Sequence, residues 1–182
     1  NSKALDELDA AIEKIQSVND IYSLDNEKNP TYALAKEIYR TIPVIYGENE
    51  STATIALRWK GQFCENSKML AYHNDLPEMN HTEIVGWQEN PELLKQISIL
   101  WISDKSYNAR NSLRLDSSKD VIANIPAIQR KVELDGDNFT ERFIQLLHFG
   151  DWVSYWCALL HNTDPSPVVK IDTLKKILSE KS

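Results

Sequence analysis

The chain has 182 residues, 42% hydrophobic and 26% charged, which is enough for one domain with a proper core. Its formal charge of −7, with 20 scattered basic residues, argues against a nucleic-acid or anionic-membrane surface, because such surfaces need a dense face of Lys and Arg. No apolar run reaches the roughly 18 residues of a membrane span and no leader pattern opens the sequence, so we expect a cytoplasmic protein.

Helical and strand patterns alternate through the first third of the chain. Residues 3–18 space Leu and Ile at helical intervals, and an Asn-Pro-Thr sequence opens a second helix over 29–41. The β-branched run IPVIYG at 42–47 predicts a buried parallel strand. Ser51 or Thr52 then caps a third helix, whose apolar residues form one stripe.

Three further strands and four helical segments follow. The strands are predicted near 69–73, at 97–103 and at 128–134, and the helices over 80–87, 106–119, 138–161 and 167–180. The run ISILWIS is the strongest strand pattern in the chain, whereas the alternation in IQRKVEL is typical of an edge or half-exposed strand.

The order of these elements predicts the fold class. Strands separated by helices indicate an α/β protein, a three-layer α/β/α sandwich with a mainly parallel sheet and right-handed crossovers. Ligands of such sheets bind beyond the carboxyl ends of the strands. We therefore expect residues 47–52, which follow the first strand, to face any site.

Several motifs of familiar chemistry are absent from the sequence. It has no G-x-G-x-x-G, no G-x-x-x-x-G-K-[ST] and no G-x-S-x-G, so nothing indicates a dinucleotide, a nucleoside triphosphate or a hydrolase elbow. Cys64 and Cys157 lie far apart without a CxxC and are interpreted as buried thiols. A metal site of His73, His81 and Glu83 is an alternative, but such a trio arises often by chance.

Glu65 is the first candidate for chemistry. It falls at the end of the third helix, off the apolar stripe, where the negative end of the helix dipole makes a carboxylate a better proton acceptor. A general base needs that property. The alternative is a solvated Glu paired with Arg58 or Lys68.

Four stretches carry a family resemblance: IPVIYG, ALRWKGQFCENSK, PEMNHTEIVGW and GDWVSYWCALLHNTDPSPVVKIDTLK. In this order they resemble the C-terminal half of the bacterial and archaeal bifunctional phosphoglucose/phosphomannose isomerases, which belong to the sugar isomerase (SIS) domain superfamily. The resemblance implies a flavodoxin-like SIS domain over 29–182. Residues 1–28 would then be the linker helix from a missing first domain, which agrees with a sequence that lacks an initiator Met.

The resemblance also implies roles for individual residues. Glu65, in the ENSK motif, would be the base that moves a proton between C2 and C1 of the open-chain sugar phosphate. His81, in the NHxE motif, would open the sugar ring in the site of a partner subunit of a homodimer. Lys175, in the ID-x-LK helix, would assist ring opening at the ring oxygen.

Helical geometry gives a separate argument for the lysine. Lys175 shares a face with Ile171 and Leu178, whereas Lys176 aligns with Asp172, so we expect Lys175 to turn inwards. The alternative is a surface lysine whose stem lies over that face.

Three polar residues near these motifs have less certain roles. Arg58 is a candidate to orient Glu65 or to approach substrate, with a solvated side chain as the alternative. Asn80 is a candidate for substrate binding or for capping the short helix. Glu83 belongs to the same motif as Asn80 and receives no role.

The function implied by the resemblance is that of a cofactor-free and metal-free aldose–ketose isomerase. It would interconvert glucose 6-phosphate or mannose 6-phosphate with fructose 6-phosphate through a cis-enediol, with phosphate held mostly by the missing domain. The alternative is a non-catalytic phosphosugar-binding or regulatory SIS module, which needs no base. Retention of Glu65, His81 and Lys175 together favours the enzyme.

Overall fold

The computed structural model describes residues 2–180 and is built on one parallel sheet. Its strands are β1 (Ile42–Glu48), β2 (Tyr72–Leu76), β3 (Ile97–Ile102) and β4 (Ile128–Val132). They lie in the order β2-β1-β3-β4, and every neighbouring pair is parallel. The two strongest apolar runs of the sequence therefore form the two central strands, as their continuous burial requires.

Helices precede, connect and follow the strands. They are α1 (Ser2–Tyr22), α2 (Pro30–Ile38), α3 (Ala53–Glu65), α4 (Pro91–Leu94), α5 (Ala109–Ile122), α6 (Phe139–Leu160) and α7 (Val169–Glu180). Two 3-10 turns, Glu78–Asn80 and Glu83–Gly86, stand between β2 and α4. No helix within residues 2–180 is long and apolar enough to cross a membrane.

Two apolar clusters, one on each face of the sheet, make up the core. Helices α2, α3 and α6 contribute to the first, which includes Phe63, Val153 and the fully buried Trp59. The second lies under α5 and the 3-10 turns and includes Trp87 and Leu115. The predicted three-layer α/β/α fold with a parallel sheet is confirmed.

Asparagine side chains cap three helices. Asn29 accepts hydrogen bonds from the first backbone N–H groups of α2, and Asn108 and Asn138 do the same for α5 and α6. The prediction that Ser51 or Thr52 caps α3 was only partly confirmed. Thr52 occupies the cap position, but its side chain makes no cap hydrogen bond and instead accepts from the N–H of Glu48 (2.9 Å).

Some predicted boundaries differ from the structure. The strand expected near 69–73 is β2 at Tyr72–Leu76, because Met69 and Ala71 are buried in the core before the strand begins. The helix expected over 80–87 is instead the pair of 3-10 turns. The remaining shifts are of a few residues at helix ends, where sequence patterns are weakest.

The first helix packs on the domain. Ala11 is fully buried, and the indole N–H of Trp156 on α6 donates to the carbonyl of Tyr22 (2.9 Å). The described part of segment 1–28 therefore lies against α6, while its origin as a linker from another domain stays a prediction.

Helices α3 and α6 approach each other through a glycine. The indole N–H of Trp59 donates to the carbonyl of Leu146 (2.9 Å), and the ring lies over the backbone of Gly150. A Cβ on Gly150 would stand 2.1 Å from the indole nitrogen. Only glycine leaves room for this tryptophan.

Substitution of Gly150 by Ala should therefore destabilise the protein, because the buried indole must move and its hydrogen bond must stretch. We expect a loss of about 1–3 kcal/mol in the free energy of unfolding, measured by urea denaturation. Gly61→Ala is the matched control on α3. A Cβ there meets no atom within 4 Å, so the control should gain about 0.5–1 kcal/mol. Equal stability of the two variants would contradict this account of the packing.

Candidate active site

Glu65 lies near the amino ends of the strands, at the side of the sheet called the amino-end edge below. It is the last residue of α3, which returns from the carboxyl end of β1 to the start of β2. Its exposed side chain borders a cleft of about 520 Å³. The cleft is otherwise lined mainly by the segment between α6 and α7 and by the first turn of α7, including Pro167, Val168 and Ile171.

The carboxylate of Glu65 has neither of the partners proposed for it. Arg58 pairs with Asp151 on α6 (2.8 Å), and the ammonium of Lys68 donates to the backbone carbonyls of Glu65 (2.6 Å) and Pro165 (3.0 Å). Within residues 2–180 the carboxylate makes no hydrogen bond and no ion pair. It is an exposed anion beside an apolar cleft, open to a proton donor from solvent or from a ligand.

Arg58 has a visible structural role. Its guanidinium bonds both oxygens of Asp151, and Gln62 donates to the same carboxylate (2.7 Å), so the pair fastens α3 to α6. The substrate-binding role expected for Arg58 would require this exposed ion pair to open. Such an opening is not costly, since exposed pairs contribute only about 0–1 kcal/mol.

Lys175 is exposed, contrary to the expectation that it turns inwards. No residue of α7 between Val169 and Glu180 is buried, and the apolar side chains of Ile171 and Leu174 stand 40% and 57% exposed. The helical pattern identified an apolar face correctly, but within residues 2–180 this face is not buried. Ile171 lines the Glu65 cleft, so Lys175 follows one turn further along the same face, about 6 Å away.

His81 lies at the opposite end of the strands, beyond their carboxyl ends. It follows the first 3-10 turn beyond the carboxyl end of β2, and its side chain is exposed. The full length of α3, about 20 Å, separates this edge from Glu65. Glu65 and Ile171, which stands one turn before Lys175, thus line the same cleft, whereas His81 lies beyond the other end of the strands.

Asn80 holds the turn before His81. Its side-chain N–H donates to the hydroxyl of Ser118 on α5 (2.7 Å), while its amide oxygen is buried without a hydrogen-bond partner in the described part of the chain. In this conformation the amide fastens the turn to α5. Its role in substrate binding stays a prediction.

Glu83, which sequence reasoning left without a role, is held by the sheet. The hydroxyl of Tyr46 on β1 donates to one carboxylate oxygen, and the amide of Asn74 on β2 donates to the other (2.6 Å). Burial, together with the charge of Glu83, raises the pKa of Tyr46, which keeps the hydroxyl protonated as a donor. The NHxE motif gave the position of Glu83, but the pairing depends on strand register.

The carboxyl end of β1 is closed, although residues 47–52 were expected to face a ligand. A Cβ on Gly47 would lie 2.5 Å from the carbonyl oxygen of Thr52, so the backbone here folds tightly on itself. The hydroxyls of Thr52 and Tyr107 are in contact behind it. Burial raises the pKa of Tyr107 to about 12, so that hydroxyl also stays protonated.

A carboxylate occupies the position where an anion would have to bind at this edge. The buried side chain of Glu48 accepts hydrogen bonds from Ser51 (2.8 Å) and Asn111 (3.1 Å). A phosphate placed at the end of β1 would meet this negative charge and find its hydroxyl and amide donors already used. Within residues 2–180 the carboxyl end of β1 thus presents a hydrogen-bonded carboxylate, while a ligand site at this end stays a prediction.

A buried ion pair lies beyond the carboxyl end of β3. Arg142 on α6 donates two hydrogen bonds of 2.8 and 3.0 Å to the carboxylate of Asp104, which follows β3. The side chains of Arg142 and Asp104 are 8% and 1% exposed, respectively. Burial alone would raise the pKa of Asp104, but hydrogen bonds from Arg142 and Ser106 hold it below its usual value. Sequence reasoning missed this pair, because no spacing rule links the two positions.

The described residues contain no group of three His, Cys, Asp or Glu side chains that could hold a metal ion. In particular, both carboxylate oxygens of Glu83 are engaged by Tyr46 and Asn74. Both cysteines are free thiols, Cys157 buried and Cys64 half-buried beside the Glu65 cleft. Burial raises the pKa of Cys157, which suits an inert core thiol.

Known proteins resemble the chain in sequence. Residues 27–178 match the family described as bacterial phospho-glucose isomerase C-terminal SIS domain. A bifunctional phosphoglucose/phosphomannose isomerase of Caldicellulosiruptor bescii is 36% identical over 96% of this chain and 52% of its own length. One of Aquifex aeolicus is 37% identical over 96% and 52%, respectively. The chain thus spans about half the length of the curated relatives it matches.

A solved structure shares the fold. The crystal structure of a glucose-6-phosphate isomerase like protein from Thermus thermophilus superposes with a TM-score of 0.70 at 18% identity, covering 90% of this chain and 54% of that one. At this identity the likeness concerns the fold alone. It agrees with the predicted SIS architecture.

The Asp104–Arg142 pair makes a stability prediction with a pH signature. Asp104→Asn leaves a buried guanidinium without its counter-charge and should cost about 3–5 kcal/mol of unfolding free energy at pH 7. Because the folded-state pKa of Asp104 is lowered, its contribution is complete above the unfolded pKa of about 3.9 and is lost as the pH falls below it. The variant should therefore lose less stability than the parent as the pH falls below about 3.9.

Asp135→Asn is the matched control, since its carboxylate pairs with Lys105 but is 89% exposed. We expect it to cost far less than Asp104→Asn, because solvent screens an exposed pair. Urea denaturation at several pH values measures both variants, and an equal cost for the two would contradict the weight given to the buried pair.

Proposed function

Because this chain belongs to the bacterial phospho-glucose isomerase C-terminal SIS domain family, we propose that it forms the C-terminal half of an aldose–ketose isomerase acting on hexose 6-phosphates. The substrates would be glucose 6-phosphate and mannose 6-phosphate, interconverted with fructose 6-phosphate. The observation that carries the proposal is the unpaired carboxylate of Glu65 on the rim of a cleft from which the helix bearing Lys175 departs.

Glu65 is the proton-transferring base in this proposal. Its carboxylate takes the proton from C2 of the open-chain aldose while water protonates the C1 carbonyl oxygen, which gives a cis-enediol. The same carboxyl group then returns the proton to C1 while the C2 hydroxyl loses its proton to water and becomes the ketone carbonyl. The exposed oxygens of Glu65, free of competing donors within residues 2–180, support this role.

Lys175 would act on the ring oxygen during ring opening. Its place one turn beyond Ile171, which lines the Glu65 cleft, supports a position beside the same substrate. The exposed apolar face of α7 also suggests that another domain or subunit covers this helix in the complete protein. That cover would convert an open cleft into a site closed to water.

His81 would act in a site of a second copy. Its position at the carboxyl edge, about 20 Å from Glu65, supports this arrangement, since one chain cannot place both residues on one hexose. In a two-fold symmetric dimer each chain would give its Glu65 to one site and its His81 to the other. The oligomer is then part of the catalytic unit.

Phosphate recognition would fall mostly to the other half of the protein. The carboxyl end of β1 in this chain carries the buried carboxylate of Glu48, which disfavours an anion. The curated relatives are about twice as long as the stretch matched here, which leaves room for a second domain. Asn80 and Arg58 remain candidates for contacts to the substrate.

The role of Glu65 is tested by proton exchange. In the full-length protein that contains this chain, we expect solvent deuterium to enter C2 of glucose 6-phosphate, and Glu65→Gln to slow this by about 10²- to 10⁴-fold because the amide cannot accept the proton. Glu50→Gln, also at an exposed glutamate, is the control and should exchange like the parent. NMR of the recovered sugar measures the label.

Each result has a distinct meaning. Exchange that survives in Glu65→Gln would remove Glu65 from the mechanism. A parent protein that binds the sugar phosphate without any exchange would favour the regulatory module over the enzyme.

A shared site is tested by mixing inactive chains. Full-length Glu65→Gln and His81→Ala should each be inactive alone, but a refolded mixture should recover up to about a quarter of the parent rate. Half of the dimers are then mixed, and each of these keeps one intact site. The coupled rate of fructose 6-phosphate formation measures the recovery. A mixture no more active than its parts would show that both residues serve the same chain.

A further inference from the structure

The carboxylate of Glu83 joins segment 80–87, the turn that carries His81, to strands β1 and β2. We call this arrangement the carboxylate clamp. Tyr46 and Asn74 are register partners on β1 and β2, so their side chains lie side by side on one face. Together they hold the two oxygens of Glu83, Tyr46 through its hydroxyl and Asn74 through its amide (2.6 Å). Glu83 stands two residues after His81, so the clamp acts very close to the exposed imidazole.

The hydroxyl of Tyr46 also ties down the end of the same turn. The indole N–H of Trp87 donates to it (3.2 Å), so one fully buried hydroxyl accepts from Trp87 and donates to Glu83. The ring of Tyr46 is fixed in turn by Trp101 on β3, with centroids 4.7 Å apart. This end of the turn is therefore attached to a fully buried side chain that packs against its neighbours.

The other end of the turn is attached to α5. Asn80, which immediately precedes His81, donates to Ser118 there (2.7 Å). The residues on both sides of His81 are thus held by buried or half-buried partners, whereas His81 itself is exposed. A free imidazole on a backbone fixed at two points matches the needs of a group that must meet a reactive atom elsewhere.

We propose that Glu83 is a positioning residue for His81, acting through its hydrogen bonds to Tyr46 and Asn74. The inference rests on the proposed function, in which His81 takes part in ring opening. Glu83 does not touch substrate; it fixes the backbone from which the imidazole extends. A carboxylate is required because both partners are donors, so the two oxygens must both accept.

Glu83→Gln tests the clamp with a change of one atom. The amide oxygen can still accept from Tyr46, but the new NH₂ group faces the NH₂ group of Asn74, and the turn must shift. In the full-length protein we expect kcat for glucose 6-phosphate to fall about 10- to 100-fold while KM stays within about twofold, since substrate contacts are unchanged. Glu78→Gln, at an exposed glutamate on the preceding 3-10 turn, is the matched control and should behave like the parent.

Asn74→Ala provides a second variant in case the first is poorly folded. It removes the bond to one oxygen of Glu83 and the hydrogen bond that the amide oxygen of Asn74 accepts from the N–H of Asp75 (2.8 Å). It lies on an edge strand, so the fold should tolerate it. We expect kcat to fall about 3- to 10-fold, again without a change in KM. Parent-like kcat in both Glu83→Gln and Asn74→Ala would overturn the proposal.

Mixed dimers distinguish positioning of His81 from a general structural defect. Glu83→Gln should recover activity when mixed with Glu65→Gln, which supplies a correctly held His81, but not when mixed with His81→Ala. Recovery with both partners, or with neither while Glu65→Gln and His81→Ala still complement each other, would overturn the proposal. If Glu65→Gln and His81→Ala fail to complement, the shared site fails, and the kcat and KM values still decide the role of Glu83.

Discussion

The direction of the first crossover limits what every candidate residue of this chain can do. Helix α3 begins beyond the carboxyl end of β1 and ends at the amino end of β2, so the sheet itself holds Glu65 and His81 at opposite edges. A close-packed parallel sheet does not bend to bring the amino and carboxyl ends of its strands together. In the proposed function, a reaction that uses both residues draws them from two chains, and both side chains are exposed as that arrangement needs.

The two edges differ in chemistry in a way that fits half of a larger site. Parallel sheets usually bind ligands beyond the carboxyl ends of their strands, but here that edge is filled by Glu48 and by the Asp104–Arg142 pair. The amino-end edge has instead an open apolar cleft and the uncovered face of α7. Buried charge therefore characterises the carboxyl ends of the strands, and exposed apolar surface characterises the amino ends.

The sequence predicted an element correctly wherever its pattern reports directly on burial. It did not predict contacts that depend on a residue far away in the chain. The runs at 42–47 and 97–103 predicted the central strands because strands buried on both faces are apolar throughout. The helical face of Lys175 was found, but periodicity cannot tell whether anything covers it. The partners Asp104 and Arg142 are 38 positions apart, and Glu83 meets Tyr46 only through strand register, so neither contact leaves a local signal.

Cross-linking in solution tests the central claim most directly, because it measures where the two edges meet. Two forms of the full-length protein are needed, both with Cys64→Ser, one with Glu65→Cys and the other with His81→Cys. Treatment of their mixture with a short bismaleimide should give a covalent dimer, and neither form alone should react in this way. A mixture that gives no link between chains, together with a link inside a third form that carries Glu65→Cys and His81→Cys in one chain, would contradict the shared site.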